Sequence, residues 1–281
     1  MLYALLDYFG FVLGFLSLSK ILLGFLECLY CLMLPTIKLK GWVCITGGSD
    51  GIGLGIAISL AKQGVNLILV SRNKEKLDQA KRILQDFHVD LAVIQADLAS
   101  SDVRYLSSVI EKIRKFEVRG VINCAGVSYG SFFHLHNQAD LINMLNLHTW
   151  PVVLFSKEFK DAWIVNVSST ASVAPSPILT IYSSTKAFIH NFTQVLASER
   201  GNILSFQCGF VDTEMTRSVK FKPYMIKSSE VSEYLLPCIG RVSATFGHWK
   251  HWFMGTCLKM LPLHFTTMKL LKIMKRKHKY N

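Results

Sequence analysis

The sequence is poor in charged residues, and its number of cysteines is odd. Only 18% of the 281 residues are charged, 51% are hydrophobic, and the seven cysteines are scattered along the chain. A chain this long and this apolar is not expected to be disordered, and it is far longer than a disulfide-stapled secreted module. The composition predicts one large domain, or at most two, in a reducing environment. The mean hydropathy of +0.32 predicts an apolar attachment to a globular body.

Acidic residues are absent from the stretch 234–281, which nevertheless contains nine Lys and Arg residues. Leu, Met, Phe and Trp are interleaved with these cations. A basic segment can bind nucleic acid or an anionic membrane surface, and the apolar interleaving favours the membrane. We therefore expect a membrane-facing tail and no nucleic-acid partner. His248 and His251 have no matching ligand set, so no metal site is expected.

Residues 1–34 are almost wholly apolar, with Asp7, Lys20 and Glu27 as their only charges. The longest uncharged run, residues 8–19, is shorter than the roughly 18 residues of an uninterrupted membrane span. One tilted or re-entrant helix, a hairpin, and a helix buried in a domain or dimer core are the alternatives. A cleaved signal peptide is not favoured, because no basic region precedes the apolar stretch. We predict that residues 1–37 anchor the protein in a membrane.

Six apolar runs alternate with helical stretches between residues 41 and 210. They are Trp42–Thr46, Asn66–Val70, Leu91–Gln95, Gly120–Asn123, Trp163–Val167 and Ile203–Gln207. Strands that are buried on both faces read as continuous apolar runs, and their alternation with helices is typical of a doubly wound parallel α/β sheet. We predict a Rossmann-like dinucleotide-binding catalytic domain over 38–220. Residues 221–281 are predicted to form a substrate lid, a membrane-facing segment and the basic tail.

A glycine-rich turn follows the first predicted strand and leads into a predicted helix over 54–63. Its candidate cofactor-binding residues are Thr46, Gly47, Ser49, Asp50, Gly51, Ile52 and Gly53. Glycines let the backbone approach a pyrophosphate, and the N-terminus of the following helix presents free N–H groups to it. The position of the turn, after a strand and before a helix, therefore predicts a dinucleotide site.

An acidic residue is missing where NAD enzymes bind the adenosine ribose, about twenty residues beyond the glycines. The second predicted strand is instead followed by Ser71 and Arg72. A guanidinium can bind a phosphate in bidentate fashion, so Arg72 favours the 2′-phosphate of NADPH, although a solvated arginine is the alternative. Asp97, at the end of the third predicted strand, can both cap the next helix and accept a hydrogen bond from the adenine amino group.

Tyr182 and Lys186 form a YxxxK pair, a pattern that by itself carries little weight. Its context gives it meaning, because Ser169 lies thirteen residues upstream, beyond the end of a predicted strand. A helix over 182–196 places the tyrosine and the lysine one turn apart on the same face. Three polar groups are therefore expected to meet at the strand ends, where a nicotinamide would lie.

The order of these motifs resembles the short-chain dehydrogenase/reductase family over about residues 41–215. The residues behind this resemblance are Thr46, Gly47, Gly51, Gly53, Asn123-Cys124-Ala125-Gly126, Asn146, Ser169, Tyr182 and Lys186. A closer likeness is to the very-long-chain 3-oxoacyl-CoA reductases of the endoplasmic reticulum and their 17β-hydroxysteroid dehydrogenase relatives. It rests on residues 49–53, 69–72, 177–183 and 254–262.

This resemblance implies a role for each polar group. Tyr182 would protonate the nascent alkoxide, Lys186 would lower the tyrosine pKa and bind the nicotinamide ribose, and Ser169 would orient the carbonyl oxygen. Asn146 would hold a water that links the lysine to solvent. A helix cap at Ser169, an ordinary polar helix residue at Asn146 and a turn former at Asn123 are the alternatives. The resemblance places further cofactor contacts at Asn123, Ala125, Gly126, Tyr182, Lys186, Val211 and Thr213.

The implied reaction is NADPH-dependent reduction of a 3-oxoacyl-CoA in very-long-chain fatty acid elongation. A 17β-hydroxysteroid or 3-ketosphinganine reductase would use identical chemistry, and a catalytically silent membrane scaffold is the alternative from another class. An acyl-CoA, a membrane and other elongation enzymes are the implied partners, and a homodimer is left open. Lys277 and Lys279 resemble a dilysine retrieval signal, which favours the endoplasmic-reticulum membrane.

Overall fold

The computed structural model describes residues 2–33, 35, 39–217 and 222–260. The predictions for Lys277 and Lys279 and for most of the basic tail lie outside these residues. The first helix, α1 (Leu2–Met33), precedes all the strands. Because α1 is one uninterrupted helix, the hairpin alternative is wrong.

The apolar N-terminal segment has the length and composition of a membrane span. Residues Tyr8–Met33 form a 26-residue stretch with a mean hydropathy of 2.0. Large side chains of α1 are exposed, with Phe11 73% and Leu18 65% accessible. The structure therefore does not support the alternative of a helix buried in the core of the domain.

Seven parallel strands form the central sheet in the order β3-β2-β1-β4-β5-β6-β9. The first six are β1 (Trp42–Thr46), β2 (Asn66–Ser71), β3 (Leu91–Gln95), β4 (Val118–Asn123), β5 (Trp163–Val167) and β6 (Ile203–Phe206). A separate pair is formed by β7 (Val211–Asp212) and β8 (Ile226–Lys227), and β9 (Ala244–Thr245) completes the main sheet. The doubly wound parallel sheet predicted from the sequence is confirmed.

Helices cover both faces of the sheet. They are α2 (Gly51–Ala61), α3 (Lys74–Leu84), α4 (Val103–Arg114), α5 (Gln138–Glu158), α6 (Thr180–Arg200), α7 (Val231–Leu235) and α8 (Trp249–Met260). Side chains alternate along each strand, so Val43 and Ile45 lie in one core cluster while Cys44 lies in the other. Each fully buried Val, Ile or Leu contributes about 1.5–3 kcal/mol, which explains why apolar residues predominate in the central strands.

Polar residues at the strand ends begin the helices. The carboxylate of Asp50 accepts a hydrogen bond from Gly51 N at the start of α2, and Asn73 and Asp102 cap α3 and α4 in the same way. These caps satisfy backbone N–H groups that have no partner inside the helix. The cap at Asp50 starts α2 three residues before the expected Leu54, so the glycine-rich turn is partly helical.

The seventh strand, β9, was not predicted. It has only two residues, which pair with Ser205 and Phe206 of β6, and so short a segment shows no apolar run. The sheet consequently continues past residue 220, where we expected the catalytic domain to end.

The C-terminal part of α1 contacts the body. Cys31 is buried in the core cluster beside α2, and the rings of Phe25 and Trp252 lie 5.3 Å apart. The guanidinium of Arg241 donates a hydrogen bond to the carbonyl of Pro35 over 2.9 Å. These contacts join the apolar helix to α8 and to the segment between α7 and β9.

Candidate active site

The glycine-rich turn is closed by backbone contacts that leave no room for side chains. Gly47 has a φ of +67°, and a Cβ there would lie 2.8 Å from Ala125 Cα. A Cβ at Gly53 would lie 2.2 Å from the carbonyl oxygen of Gly47. The Ser49 hydroxyl donates to the hydroxyl of Ser71 at the end of β2 over 2.8 Å. The turn is therefore a narrow backbone cradle at the N-terminus of α2.

A cleft of about 330 Å³ opens in front of this cradle. Its lining includes ten of the predicted cofactor-binding residues, namely Gly47, Ser49, Asp50, Gly51, Ile52, Gly53, Arg72, Ala125, Gly126 and Thr213. Residues from the ends of β1, β2 and β4 thus meet, because the parallel register aligns Thr46 with Val70 and Asn123. The structure brings together most of the predicted dinucleotide site.

Lys76 lines the same cleft and was missed by the sequence analysis. Its ammonium lies 2.6 Å from the carboxylate of Asp50 and also pairs with Glu214. The hydrogen bonds that Lys76 donates to Asp50 and Glu214 raise the pKa of Lys76. Burial alone would raise the pKa of Asp50, but the bonds from Lys76 and Gly51 N outweigh it and lower that pKa. The signal in the sequence is a cation one helical turn after Arg72.

Two predicted cofactor residues hold the cradle instead of lining the cleft. The hydroxyl of Thr46 accepts hydrogen bonds from the backbone N–H groups of Cys124 and Ala125 at 3.1 and 3.2 Å. The amide of Asn123 donates to Asn166 Oδ1 over 2.8 Å, while its own buried Oδ1 has no hydrogen-bond partner among the described residues. Both side chains fix the loop after β4, which supports the site from behind.

Asp97 and Val211 also lie outside the cleft lining. Asp97 accepts a hydrogen bond from Ala99 N over 3.0 Å, and its carboxylate is 4.0 Å from the Arg72 guanidinium. Val211 is buried in β7, and its carbonyl accepts a hydrogen bond from Thr216 Oγ1. Asp97 therefore holds the turn after β3, and the prediction that it caps the next helix is wrong because Asp102 caps α4. Its contact with the adenine stays a prediction.

Ser169, Tyr182 and Lys186 converge beyond the end of β5. The ammonium of Lys186 lies 5.7 Å from the centre of the Tyr182 ring. It donates a hydrogen bond to the carbonyl of Val167 over 2.8 Å. Ser169 lies near enough to the tyrosine hydroxyl to act on the pKa of Tyr182, and it also caps the short helical turn Thr170–Ser172. The predicted catalytic triangle is thus assembled on β5 and α6.

The pKa values of this triangle differ from the expectation. Burial raises the pKa of Tyr182 to about 12, although the hydrogen bond with Ser169 acts in the lowering direction. Burial lowers the pKa of Lys186 to about 8, with the thiols of Cys124 and Cys208 opposing it. The expected lowering of the tyrosine pKa by the lysine is therefore not seen. The physical reason is that the ammonium is directed to Val167 O and is itself desolvated.

His148, a buried histidine on α5, packs against the tyrosine and was also missed. Its ring makes an edge contact with the Tyr182 ring, with centroids 5.7 Å apart. Its Nε2 accepts a hydrogen bond from Val127 N over 3.1 Å, and its Nδ1 lies 2.8 Å from Thr185 Oγ1. Because Nε2 is an acceptor, Nδ1 carries the proton and donates to the threonine. Burial and the charge of Lys186 lower the histidine pKa well below 6.5.

His148 therefore joins the cleft loop to the first turns of α6. Thr185 passes the chain of hydrogen bonds on by donating to the carbonyl of Tyr182 over 2.9 Å. The sequence signal is weak: His148 lies on the buried stripe of α5 with Met144, Val152 and Phe155. A histidine on such a stripe does not reveal its partners.

Asn146 lies on the same helix but has no contact with the triangle among the described residues. Its amide donates a hydrogen bond to the carbonyl of Ala99 over 3.1 Å. Its neighbour Leu147 lines the cleft. The structure thus places Asn146 beside the cleft, where it ties α5 to the loop after β3, and its predicted role with a water stays a prediction.

The residues present fit a dinucleotide. A backbone cradle that a Cβ would fill lies at a helix N-terminus, which is where a pyrophosphate binds. Arg72 and Lys76 supply cations along the same cleft, and Lys76 lies against Asp50 of the cradle. An aromatic acid, a lysine and a hydroxyl lie close together next to the loop after β4. This combination supports hydride transfer with proton delivery to a carbonyl group.

Comparisons with known proteins agree with this geometry. Residues 41–223 match the short chain dehydrogenase family. The very-long-chain 3-oxoacyl-CoA reductase of Anas platyrhynchos is 33% identical over 252 residues, which cover 83% of this chain and 79% of that protein. The Homo sapiens protein of the same name is 31% identical over 239 residues, covering 79% and 75% of the two chains.

A solved structure, a short-chain dehydrogenase from Sphingobium yanoikuyae in complex with NADPH, has the same fold. It superimposes with a TM-score of 0.64 and 26% identity, covering 70% of this chain and 83% of that one. The match over residues 41–223 and the assembled triangle lead to one conclusion. The chain belongs to the short-chain dehydrogenase/reductase family and is an oxidoreductase with a nicotinamide-cofactor fold.

Proposed function

We propose that this protein reduces a 3-oxoacyl-CoA to the 3-hydroxyacyl-CoA with NADPH, in very-long-chain fatty acid elongation at the endoplasmic-reticulum membrane. The observation that carries the proposal is the cluster of Ser169, Tyr182 and Lys186 beside a cleft with a dinucleotide cradle. The substrate class is taken from the names of the relatives, which are very-long-chain 3-oxoacyl-CoA reductases. The apolar α1 supports a membrane location, where a long-chain substrate partitions.

NADPH, when bound, supplies the hydride that reaches the carbonyl carbon. Tyr182 donates its proton to the carbonyl oxygen, so the C=O bond becomes a C–OH group. Ser169 holds that oxygen by a hydrogen bond, and the charge of Lys186 stabilises the phenolate left on the tyrosine. With a phenol pKa of about 12, proton loss needs this stabilisation. It requires the ammonium to turn from Val167 O toward the tyrosine and the ribose.

Cofactor choice follows from charge. The two cations at the cleft, Arg72 and Lys76, complement a 2′-phosphate, and Arg72 follows β2 where NAD enzymes place an acid. Other elongation enzymes are proposed as protein partners, because they would supply the 3-oxoacyl-CoA and consume the 3-hydroxyacyl-CoA.

The test is NADPH oxidation by the full-length protein in membranes, offered 3-oxostearoyl-CoA, a 17-keto steroid or 3-ketosphinganine. We expect oxidation with the acyl-CoA, and we expect Tyr182→Phe to reduce it by about 10²–10⁴-fold while NADPH still binds. Turnover of only the steroid or the sphingoid base would reassign the substrate. Turnover that survives Tyr182→Phe would remove the tyrosine from the mechanism, and no turnover of any ketone would favour the silent scaffold.

A further inference from the structure

A second cavity, of about 590 Å³, lies between α1 and the edge of the sheet at β9. Its lining combines Ile21 and Gly24 of α1 with Ala244 of β9 and Trp252, Thr256 and Lys259 of α8. It shares no lining residue with the dinucleotide cleft. The cavity therefore belongs to the junction between the apolar helix and the body, and the proposed reaction does not use it.

The junction is held by specific contacts along one wall. A Cβ at Gly24 would lie 3.5 Å from the indole nitrogen of Trp252, which is an ordinary van der Waals distance, so α1 and α8 are close neighbours at this point. The Phe25 and Trp252 rings pack at 5.3 Å. These contacts keep the two helices together at one point and leave the space beside them open.

One cation faces this largely apolar space. The ammonium of Lys259 lies 5.1 Å from the centre of the Phe246 ring, and burial lowers its pKa. Among residues 39–217 and 222–260, no acidic side chain forms a salt bridge with Lys259; the acidic partners recorded there belong to other cations. A desolvated ammonium in this position favours an anionic ligand.

We propose that this cavity binds a lipid with one long acyl chain in the cavity and an anionic headgroup at Lys259. The volume falls within the range of small-molecule sites. The wall supplied by α1 is part of the helix with the length and composition of a membrane span, so a lipid enters directly from the bilayer. A fatty acid and an anionic phospholipid share this chemistry, and the experiment distinguishes them.

The cavity also lies close to the catalytic triangle. Gln207, which lines it, donates a hydrogen bond to Ser172 Oγ over 2.9 Å. Ser172 Oγ in turn donates to the carbonyl of Ser169 over 2.6 Å. Two hydrogen bonds therefore connect the cavity wall to the turn that carries the catalytic serine.

The test uses the full-length protein in phosphatidylcholine nanodiscs with a photoreactive diazirine analogue of palmitic acid. After irradiation, the labelled peptides are identified by mass spectrometry. We expect saturable labelling of the peptide that contains Trp252 and Thr256. Unlabelled palmitate should compete at a concentration at least tenfold lower than hexadecanol, because hexadecanol lacks the charge.

Variants separate the site from general partition into the bilayer. Thr256→Phe and Ala244→Phe each fill the cavity and should abolish saturable labelling, whereas Ser198→Phe adds the same ring on the exposed face of α6 and should not. Lys259→Gln should remove the tenfold preference for palmitate. NADPH binding is measured in each variant to show that the fold is intact.

The proposal is overturned if labelling does not saturate, if it spreads over exposed side chains of α1 such as Phe11, or if palmitate and hexadecanol compete equally. Normal labelling of folded Thr256→Phe and Ala244→Phe proteins would also overturn it. Nanodiscs that contain phosphatidylglycerol identify the source. Loss of labelling there assigns the site to a bilayer phospholipid, and unchanged labelling assigns it to a free fatty acid; both results support an anionic lipid.

Discussion

Arg72 and Lys76 project from the end of β2 and the first turn of α3 into one end of the dinucleotide cleft. The Arg72 side chain is largely exposed, and its guanidinium lies 4.0 Å from the carboxylate of Asp97. Lys76 lies between two carboxylates, which raise its pKa and keep it charged. A 2′-phosphate at this end of the cleft would meet both cations.

Replacing either cation is expected to weaken the binding of NADPH more than the binding of NADH. Arg72→Ala and Lys76→Ala should each raise the Michaelis constant for NADPH by about tenfold or more, since a hydrogen bond to a charged group is worth about 1.5–3 kcal/mol, and should leave that for NADH nearly unchanged. Steady-state kinetics with both nucleotides measures this. Lys74→Ala, an exposed cation on α3 that does not line the cleft, is the control. Equal changes for both nucleotides would exclude a phosphate contact.

His148 is expected to act as a positioning residue through Val127 and Thr185. His148→Leu leaves the N–H of Val127 without its acceptor, whereas Thr185 Oγ1 keeps its hydrogen bond to Tyr182 O. It should lower the free energy of unfolding by about 1–3 kcal/mol. It should also lower kcat at saturating substrate, because the Tyr182 ring loses its edge contact. His148→Gln, which keeps an acceptor, should recover part of both quantities.

The control for His148 is His190→Leu on α6, which removes a histidine bonded to Ser205 at 3.0 Å. It should destabilise the protein with little effect on kcat. Denaturant unfolding and kcat are measured for all three variants. If His148→Leu and His190→Leu lowered kcat equally, His148 would have only a structural role.

Lys186 predicts a pH dependence, because burial lowers its pKa to about 8. The charged form stabilises the phenolate, so kcat/KM for reduction, which reports the free enzyme, should fall as pH rises above about 8. Tyr182, with a pKa of about 12, does not titrate in this window. Lys186→Arg should flatten the fall, since arginine stays charged. A fall at the same pH in Lys186→Arg would assign it to another group.

The lowered pKa of Lys186 also makes the free energy of unfolding depend on pH. The folded state holds fewer protons on Lys186 than the unfolded state between pH about 8 and 10.5. The burial cost is therefore fully present below pH 8 and decreases as pH rises through this window. The contribution of this one group to the free energy of unfolding consequently increases from pH 8 to 10.5.

At the scale of the element, the strand–turn–helix unit β1–α2 depends on the absence of a side chain at Gly53. Gly53→Ala puts a methyl group 2.2 Å from Gly47 O, so the cradle must open. NADPH affinity should fall by about a hundredfold, which is about 2.8 kcal/mol, as measured by fluorescence titration. Gly64→Ala, at the other end of α2, has a φ of +75° but open space around it. It should cost about 1 kcal/mol of stability without changing affinity, and equal losses of affinity would contradict a role for the cradle.

The first six strands were predictable because strands that are buried on both faces consist largely of consecutive apolar residues. The two-residue β9 could not be predicted, because it is too short to show a pattern and the β6 residues with which it pairs lie 39 positions earlier in the chain. At the site, the glycine turn and the Tyr182–Lys186 spacing are local patterns. His148 and Lys76 act through Val127, Thr185, Asp50 and Glu214, and contacts between distant segments leave no local pattern.

At the scale of the whole molecule, the exposed apolar face of α1 predicts stable membrane attachment. Phe15→Lys with Leu22→Lys places two charges on this face, each costing about 2.5–3.5 kcal/mol at the centre of a membrane helix. The variant should leave vesicles in a flotation assay at high salt, whereas the unmodified protein stays bound. The same pair of charges at the exposed Phe188 and Val195 of α6 is the control. Release of the control, or retention of the α1 variant, would contradict attachment through α1.

The position of α1 ahead of every strand has a consequence for biosynthesis. The ribosome completes this helix before it makes β1, and the partner strand β4 follows β1 only about 75 residues later. At a translation rate of about 5–20 residues per second, this delay lasts roughly 4–15 s. During that time the helix can enter the bilayer while the apolar β1 lacks its neighbour β4. A nascent chain attached to the bilayer through α1 would therefore complete its catalytic sheet at the membrane surface.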